Sequence, residues 1–144
     1  MIQRIQTVFL FLATLCFGGL FLAPFALSDK EIQPFFEDRL FNIQDHIVLL
    51  ILTIIGGLVA LISIFMYRNR PLQMRLGFLG IISSLFLALV ASWLVYSNAQ
   101  EISDVVIEDQ IGLYLPVAAL LFFILSNRFI KKDEKTVQSM DRLR

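Results

Sequence analysis

The chain has 144 residues, 58% of them hydrophobic and 17% charged, where a soluble domain carries about 45–50% apolar residues. Twelve bases balance twelve acids, a zero sum that hides an uneven distribution along the chain; the bases lie beside the apolar runs, which argues against nucleic-acid binding. A single cysteine, Cys16, excludes an intramolecular disulfide and the paired thiols of a thiol oxidoreductase.

The apolar residues gather into four runs without ionised side chains: 7–27, 47–67, 76–96 and 111–127, the last extending to 130 if Arg128 reaches out to a headgroup. A bilayer core about 30 Å thick requires roughly 20 such residues per helix. A soluble bundle would show a charged outer face on each helix, and none of these runs does. The expected fold is all-α: an antiparallel four-helix transmembrane bundle over residues 1–130, with short amphipathic segments in the outer loops and a charged, helical tail over 131–144.

The first run follows Arg4. It exceeds the apolar region of a secretory signal, about 7–15 residues, and Pro24-Phe25-Ala26 makes a poor cleavage site, so it reads as a retained first span. The loop 28–46 is too long for a tight turn. Ile32, Phe35, Phe36 and Leu40 fall near one helical face and Pro34 suits a first helical turn, which points to a short interfacial helix. Strand pairing through Phe35-Phe36 and Leu40-Phe41 is the alternative. Either way the loop reads as an ordered lid over the bundle.

The second run ends at Tyr67, and Asn69-Arg70-Pro71 breaks the helix, making spans two and three antiparallel neighbours. Span three ends near Trp93 and Tyr96, which with Tyr114 form an outer aromatic belt, while Tyr67 marks the inner one. Loop 98–110 is acidic, and Ile102, Val105 and Val106 suggest a surface turn of helix. Pro116 removes a helical bond to the Gly112 carbonyl in span four and favours a kink.

Short loops rich in Lys and Arg remain cytoplasmic. One side collects ten bases and three acids, the other two bases and nine acids. Arg4, the linker with Arg68, Arg70 and Arg75, and the tail with Arg128, Lys131, Lys132, Lys135, Arg142 and Arg144 all lie on the first side. This predicts a multi-pass protein with both termini cytoplasmic.

Small residues mark helix contacts where no hydrophobic force separates helix from lipid. Gly19 on span one, Gly56, Gly57 and Ala60 on span two, and Gly80, Ser84, Ala88 and Ser92 on span three are therefore expected at helix packing faces. An oligomer interface is the sharper reading of the same residues. The hydroxyls of Thr14, Thr53, Ser63, Ser83, Ser84 and Ser92 are expected to bond to backbone one turn back.

Catalytic and metal residues are not expected. The middle thirds of the spans hold no ionisable group, which proton-coupled transport normally requires. His46, Asp45 and Asp38 make too sparse a set for a metal or haem, and no cofactor is called for. The basic residues of the linker and tail form one surface, used either by membrane lipid headgroups or by a protein partner.

The start Met-Ile-Gln-Arg-Ile-Gln-Thr, the turn Tyr-Arg-Asn-Arg-Pro-Leu-Gln-Met-Arg-Leu (67–76), and the tail Asn-Arg-Phe-Ile-Lys-Lys-Asp-Glu-Lys (127–135) through Asp-Arg-Leu-Arg (141–144) resemble a four-span membrane family of Bacteroidetes designated a domain of unknown function. The resemblance covers the whole chain. It implies a bacterial inner membrane and carries no activity. The expectation is a non-enzymatic accessory or scaffold subunit of a larger inner-membrane complex, with membrane lipids and other inner-membrane or cytoplasmic proteins as partners and no nucleic acid. The alternative is a small oligomeric transporter or channel for an apolar or lipid-like solute.

Overall fold

A computed structural model describes residues 3–29, 39–100 and 107–141. Four helices, α1 (Gln3–Gly19), α2 (Ile47–Phe65), α3 (Arg70–Gln100) and α4 (Ile111–Asp141), are joined by three short strands, β1 (Ala26–Ser28), β2 (Leu40–Phe41) and β3 (Ile107–Asp109). Helix α1 packs on α2 and α4, and α3 packs on the same two, so the helices form a ring. The strands make one antiparallel sheet in the order β2-β1-β3. Because α1 and α3 run toward the sheet and α2 and α4 leave it, the sheet caps one end of the ring. The α2–α3 turn and the end of α4 lie at the other.

Helices α2, α3 and α4 are long and apolar enough to cross a membrane. Their outward faces carry large apolar side chains, such as Leu58, Leu89 and Leu121. The predicted first span, 7–27, is corrected: α1 stops at Gly19, and its 17 residues rise about 25 Å. Gly18 and Gly19 weaken the helix, and Leu20, Phe21, Leu22 and Ala23 turn back onto the carbonyls of Cys16, Gly18 and Gly19. Pro24 then favours extended backbone before it, and residues 26–28 join the sheet.

That sheet adds strands to the expected all-α fold. Ala26 pairs with Phe41 and Asp109, and Leu27 with Leu40 and Glu108. Ala26 and Ser28 face inward and are buried, and Leu27 faces out. Phe25 and Phe41 are fully enclosed, ring centroids 5.9 Å apart, so the sheet closes the apolar core as a lid. Leu40-Phe41 is a strand, as the alternative for loop 28–46 has it, but its partner is Ala26-Leu27 at the end of the first apolar run. Ile32, Pro34, Phe35 and Phe36, and Ile102, Val105 and Val106 of the other loop, lie outside the described residues. Gly112 is tied to the lid through its N–H, which donates to the Pro24 carbonyl. A side chain there would strike the carbonyls of Ala23 and Pro24.

The predicted limits of the next two helices also move. Helix α2 ends at Phe65, and α3 begins at Arg70 rather than near 76. Asn69 caps α3: its side-chain carbonyl accepts from the Leu72 N–H at 3.3 Å. Pro71 sits in the first turn, where a missing N–H is no loss.

At mid-bundle two phenyl rings fill the centre. Phe17 of α1 lies on Gly56 of α2, and Phe123 of α4 lies on Gly80 of α3. The rings face each other 6.3 Å apart at 59°. A methyl group on either glycine would fall within the ring opposite it. Gly56→Ala and Gly80→Ala are each expected to destabilise by about 1–3 kcal/mol, with a non-additive double variant because the displaced rings share one space. Thermal unfolding in detergent measures this, with Leu89→Phe on the outer face as control. An unchanged midpoint for Gly80→Ala would mean that the Phe123 ring swings aside freely.

Candidate functional site

The turn end of the bundle gathers the polar side chains that the apolar runs lack elsewhere. On its outside, α4 continues as one helix to Asp141, carrying the predicted tail residues Lys131, Lys132 and Lys135. Arg142 and Arg144 lie outside the described residues. The Arg70 guanidinium at the start of α3 pairs with the Asp133 carboxylate at 3.2 Å, both side chains largely shielded. This bond fastens the tail helix to the α2–α3 turn, so the charge of Arg70 is spent within the chain. Arg68, Arg75, Arg128, Lys131, Lys132 and Lys135 remain exposed.

Beneath that surface lies a cluster that the sequence reading missed. Gln6 of α1, Ser63 of α2, Gln73 of α3, and Ser126 and Asn127 of α4 are all buried. Gln73 Nε2 donates to the Ser63 carbonyl at 2.9 Å, and Ser126 Oγ donates to the Gln6 carbonyl at 3.3 Å. The Asn127 amide rests on Gly77, whose missing side chain makes the room. Both amide atoms of Gln6 and of Asn127, Gln73 Oε1 and Ser63 Oγ have no hydrogen-bond partner. Such a cluster offers neutral donors and acceptors. The signal was available in the sequence: Gln6 sits one residue before the first apolar run, Gln73 between two arginines, and Asn127 at the end of the fourth run. Each read as a boundary residue because helix limits were drawn from apolarity alone.

Of the predicted packing residues, Gly56, Gly80, Ala60 and Ser84 are buried. Gly19 lies opposite Leu115, where an added methyl would sit 3.4 Å from Cδ1, and Gly57 opposite Phe17. Ala88 and Ser92 are only half-buried. The hydroxyls divide. Thr14 and Ser84 bond one turn back, to Leu10 and Gly80, but Ser83 reaches across to the Leu52 carbonyl of α2 at 3.0 Å. Thr53 Oγ1 and Ser63 Oγ have no partner. Thr53 lines a shallow apolar groove of about 240 Å³ between α1 and α2.

At the sheet end, His46 is the N-cap of α2, its Nδ1 accepting from the Val48 N–H at 3.3 Å. The Asp45 carboxylate accepts from the Asn42 N–H. Asp38 lies outside the described residues. Among the described residues no group of three or more His, Cys, Asp or Glu could hold a metal ion. Trp93, Tyr96 and Tyr114 are exposed near the sheet, and Tyr67 near the turn. Tyr96 Oη donates to the Asp109 carboxylate at 3.0 Å, tying α3 to β3.

The family model described as Domain of unknown function (DUF4293) matches residues 2–143. The chain belongs to that family. No curated protein and no solved structure matches it. The family match spans all four helices and the lid, so the turn end belongs to the same unit as the bundle.

Two outcomes are expected at this end. Gln6→Met, which keeps the shape and removes an unpaired amide, should be neutral or stabilising by about 1 kcal/mol in thermal unfolding; a clear loss of stability would show that the amide is satisfied by ordered water. Arg70→Ala should speed proteolysis within residues 131–141, and the exchange Arg70→Asp with Asp133→Arg should restore resistance. The coupling between the two sites should be about 1 kcal/mol and fall with added salt.

Proposed function

We propose that the protein is a non-enzymatic accessory or scaffold subunit of a larger complex in a bacterial inner membrane, and that it docks through the turn end. In this reading the chain crosses the bilayer four times with both termini cytoplasmic. The short α1 completes its crossing through the turn at 20–24, and the sheet lies on the periplasmic side. The segregation of bases to the turn end supports this orientation.

The observation that carries the docking role is the clamp between Arg70 and Asp133. It presents the turn and tail as one preorganised body, which lowers the ordering entropy a partner must overcome. Arg68, Arg75, Lys132 and Lys135 would offer charge to that partner, with Arg142 and Arg144 beyond. The centre of the bundle favours a support role: Phe17 and Phe123 fill it, and among the described residues no Asp, Glu, Lys, Arg or His side chain is buried between the helices.

The rival reading, a small oligomeric transporter or channel for an apolar or lipid-like solute, draws on the unpaired amides of Gln6 and Asn127. It requires those amides to connect past the two phenyl rings.

The deciding experiment is affinity purification of tagged full-length protein in mild detergent, beside a variant lacking residues 136–144. The truncated chain is expected to insert and unfold like the parent but to lose its co-purifying proteins. Retrieval of the same proteins in equal yield would remove the tail from the docking element. A homogeneous free monomer or dimer of the full chain would overturn the scaffold role.

A further inference from the structure

Between α3 and α4 an open groove of about 460 Å³ runs along the outer surface toward the turn end. Its inner stretch is apolar, formed by Phe78 and Ile81 on α3 and Ile124 on α4; at its other end stand Asn127, Arg128 and Lys131. Seven residues of α4 separate Ile124 from Lys131, about 10 Å along the helix axis. Arg128 and Lys131 are exposed, and the described residues provide no ion pair for either. The nearest acid along the tail, Asp133, is already held by Arg70. Asn127 is 8% exposed, and its amide has no partner.

We propose that this groove is a binding site for an anionic glycerophospholipid. One acyl chain lies along Phe78, Ile81 and Ile124, and the phosphate sits between Arg128 and Lys131. Two features select this occupant. The groove changes from apolar to cationic over the distance that separates a hydrocarbon chain from a headgroup, so a fitting ligand needs both parts in that order. Neither cation has an ion pair among the described residues, and the acids that follow on α4 are engaged elsewhere, Asp133 by Arg70 and Glu134 by Gln138, so a ligand that brings negative charge is favoured. A zwitterionic lipid brings no net charge, and a free anion leaves the apolar stretch uncovered. The site rests on the membrane placement proposed above, with the turn end at the cytoplasmic surface, and it is independent of any protein partner. Its role would be to hold α3 and α4 together on the side facing away from α1 and α2.

The test uses the full-length protein in mild detergent. Added phosphatidylglycerol and phosphatidylcholine are compared by the shift each causes in the thermal midpoint and by lipid retained in native mass spectrometry. Phosphatidylglycerol is expected to raise the midpoint and be retained, and phosphatidylcholine to do neither. The double variant Arg128→Gln/Lys131→Gln should weaken retention roughly thirtyfold. Ile124→Trp, which keeps both charges and fills the groove, should weaken it as well. Lys132→Gln/Lys135→Gln removes the same charge outside the groove and should retain lipid like the parent. Midpoints measured without lipid show whether each variant is folded. Equal retention of the two lipids would overturn the proposal. So would an equal loss in both double variants, or displacement of the lipid by inorganic phosphate at matched concentration. None of these outcomes bears on the co-purification of proteins through the tail, so the two readings fail separately.

Discussion

The bundle depends on two phenyl rings placed against two glycines. Phe17 takes the space that a side chain at Gly56 would occupy, and Phe123 does the same at Gly80. Each contact links consecutive helices, α1 with α2 and α4 with α3, and the meeting of the two rings then joins the two halves of the chain. One row of four residues therefore fixes the separation of all four helices. Where the outside of a helix is as apolar as its inside, exclusion of water does not hold helices together; close packing does. Away from this row the helices are fastened by a few specific bonds. Ser83 bonds to α2, Gln73 to the end of α2, and Ser126 to the start of α1. A stack of Phe9 with Phe129, 5.5 Å apart and nearly parallel, joins α1 to α4.

The two ends of this framework differ in kind. The sheet end is sealed by backbone: β1 bonds to both neighbours, and Phe25 and Phe41 plug the core beneath it. The turn end is built from side chains, with unpaired amides inside and one ion pair outside. Buried amides without partners weaken a fold unless something else satisfies them, so this end has lower intrinsic stability and more to gain from a ligand. The proposed docking surface and the proposed lipid groove both lie here, and they use different residues. Lys132 and Lys135 are exposed on the tail helix outside the groove, whereas Arg128 and Lys131 border it.

Much of this was readable from sequence because it follows from composition and local chemistry. The lengths of the apolar runs set the number of helices, Asn69-Arg70-Pro71 set the turn, and the mixed charges after Arg128 set the helical tail. The rotation of each helix was not readable. A helix that is apolar on every side carries no stripe to show which face turns inward. For this reason a ladder of small residues does not show how far its face is buried: Gly80 and Ser84 are enclosed, while Ala88 and Ser92 on the same ladder are only half-buried.

Sequence by itself determined four apolar helices, their antiparallel order and the gathering of bases at one end, since each depends on residues close together in the chain. Tertiary structure decided the rest. It ended α1 at Gly19, because residues 26–28 gain more as the central strand of a sheet with partners at 40–41 and 107–109 than as another helical turn. It buried Gln6, Gln73 and Asn127, which local apolarity had assigned to the edges of helices. It also turned Arg70 from a member of a basic patch into one half of an ion pair, because α4 carries Asp133 past the α2–α3 turn.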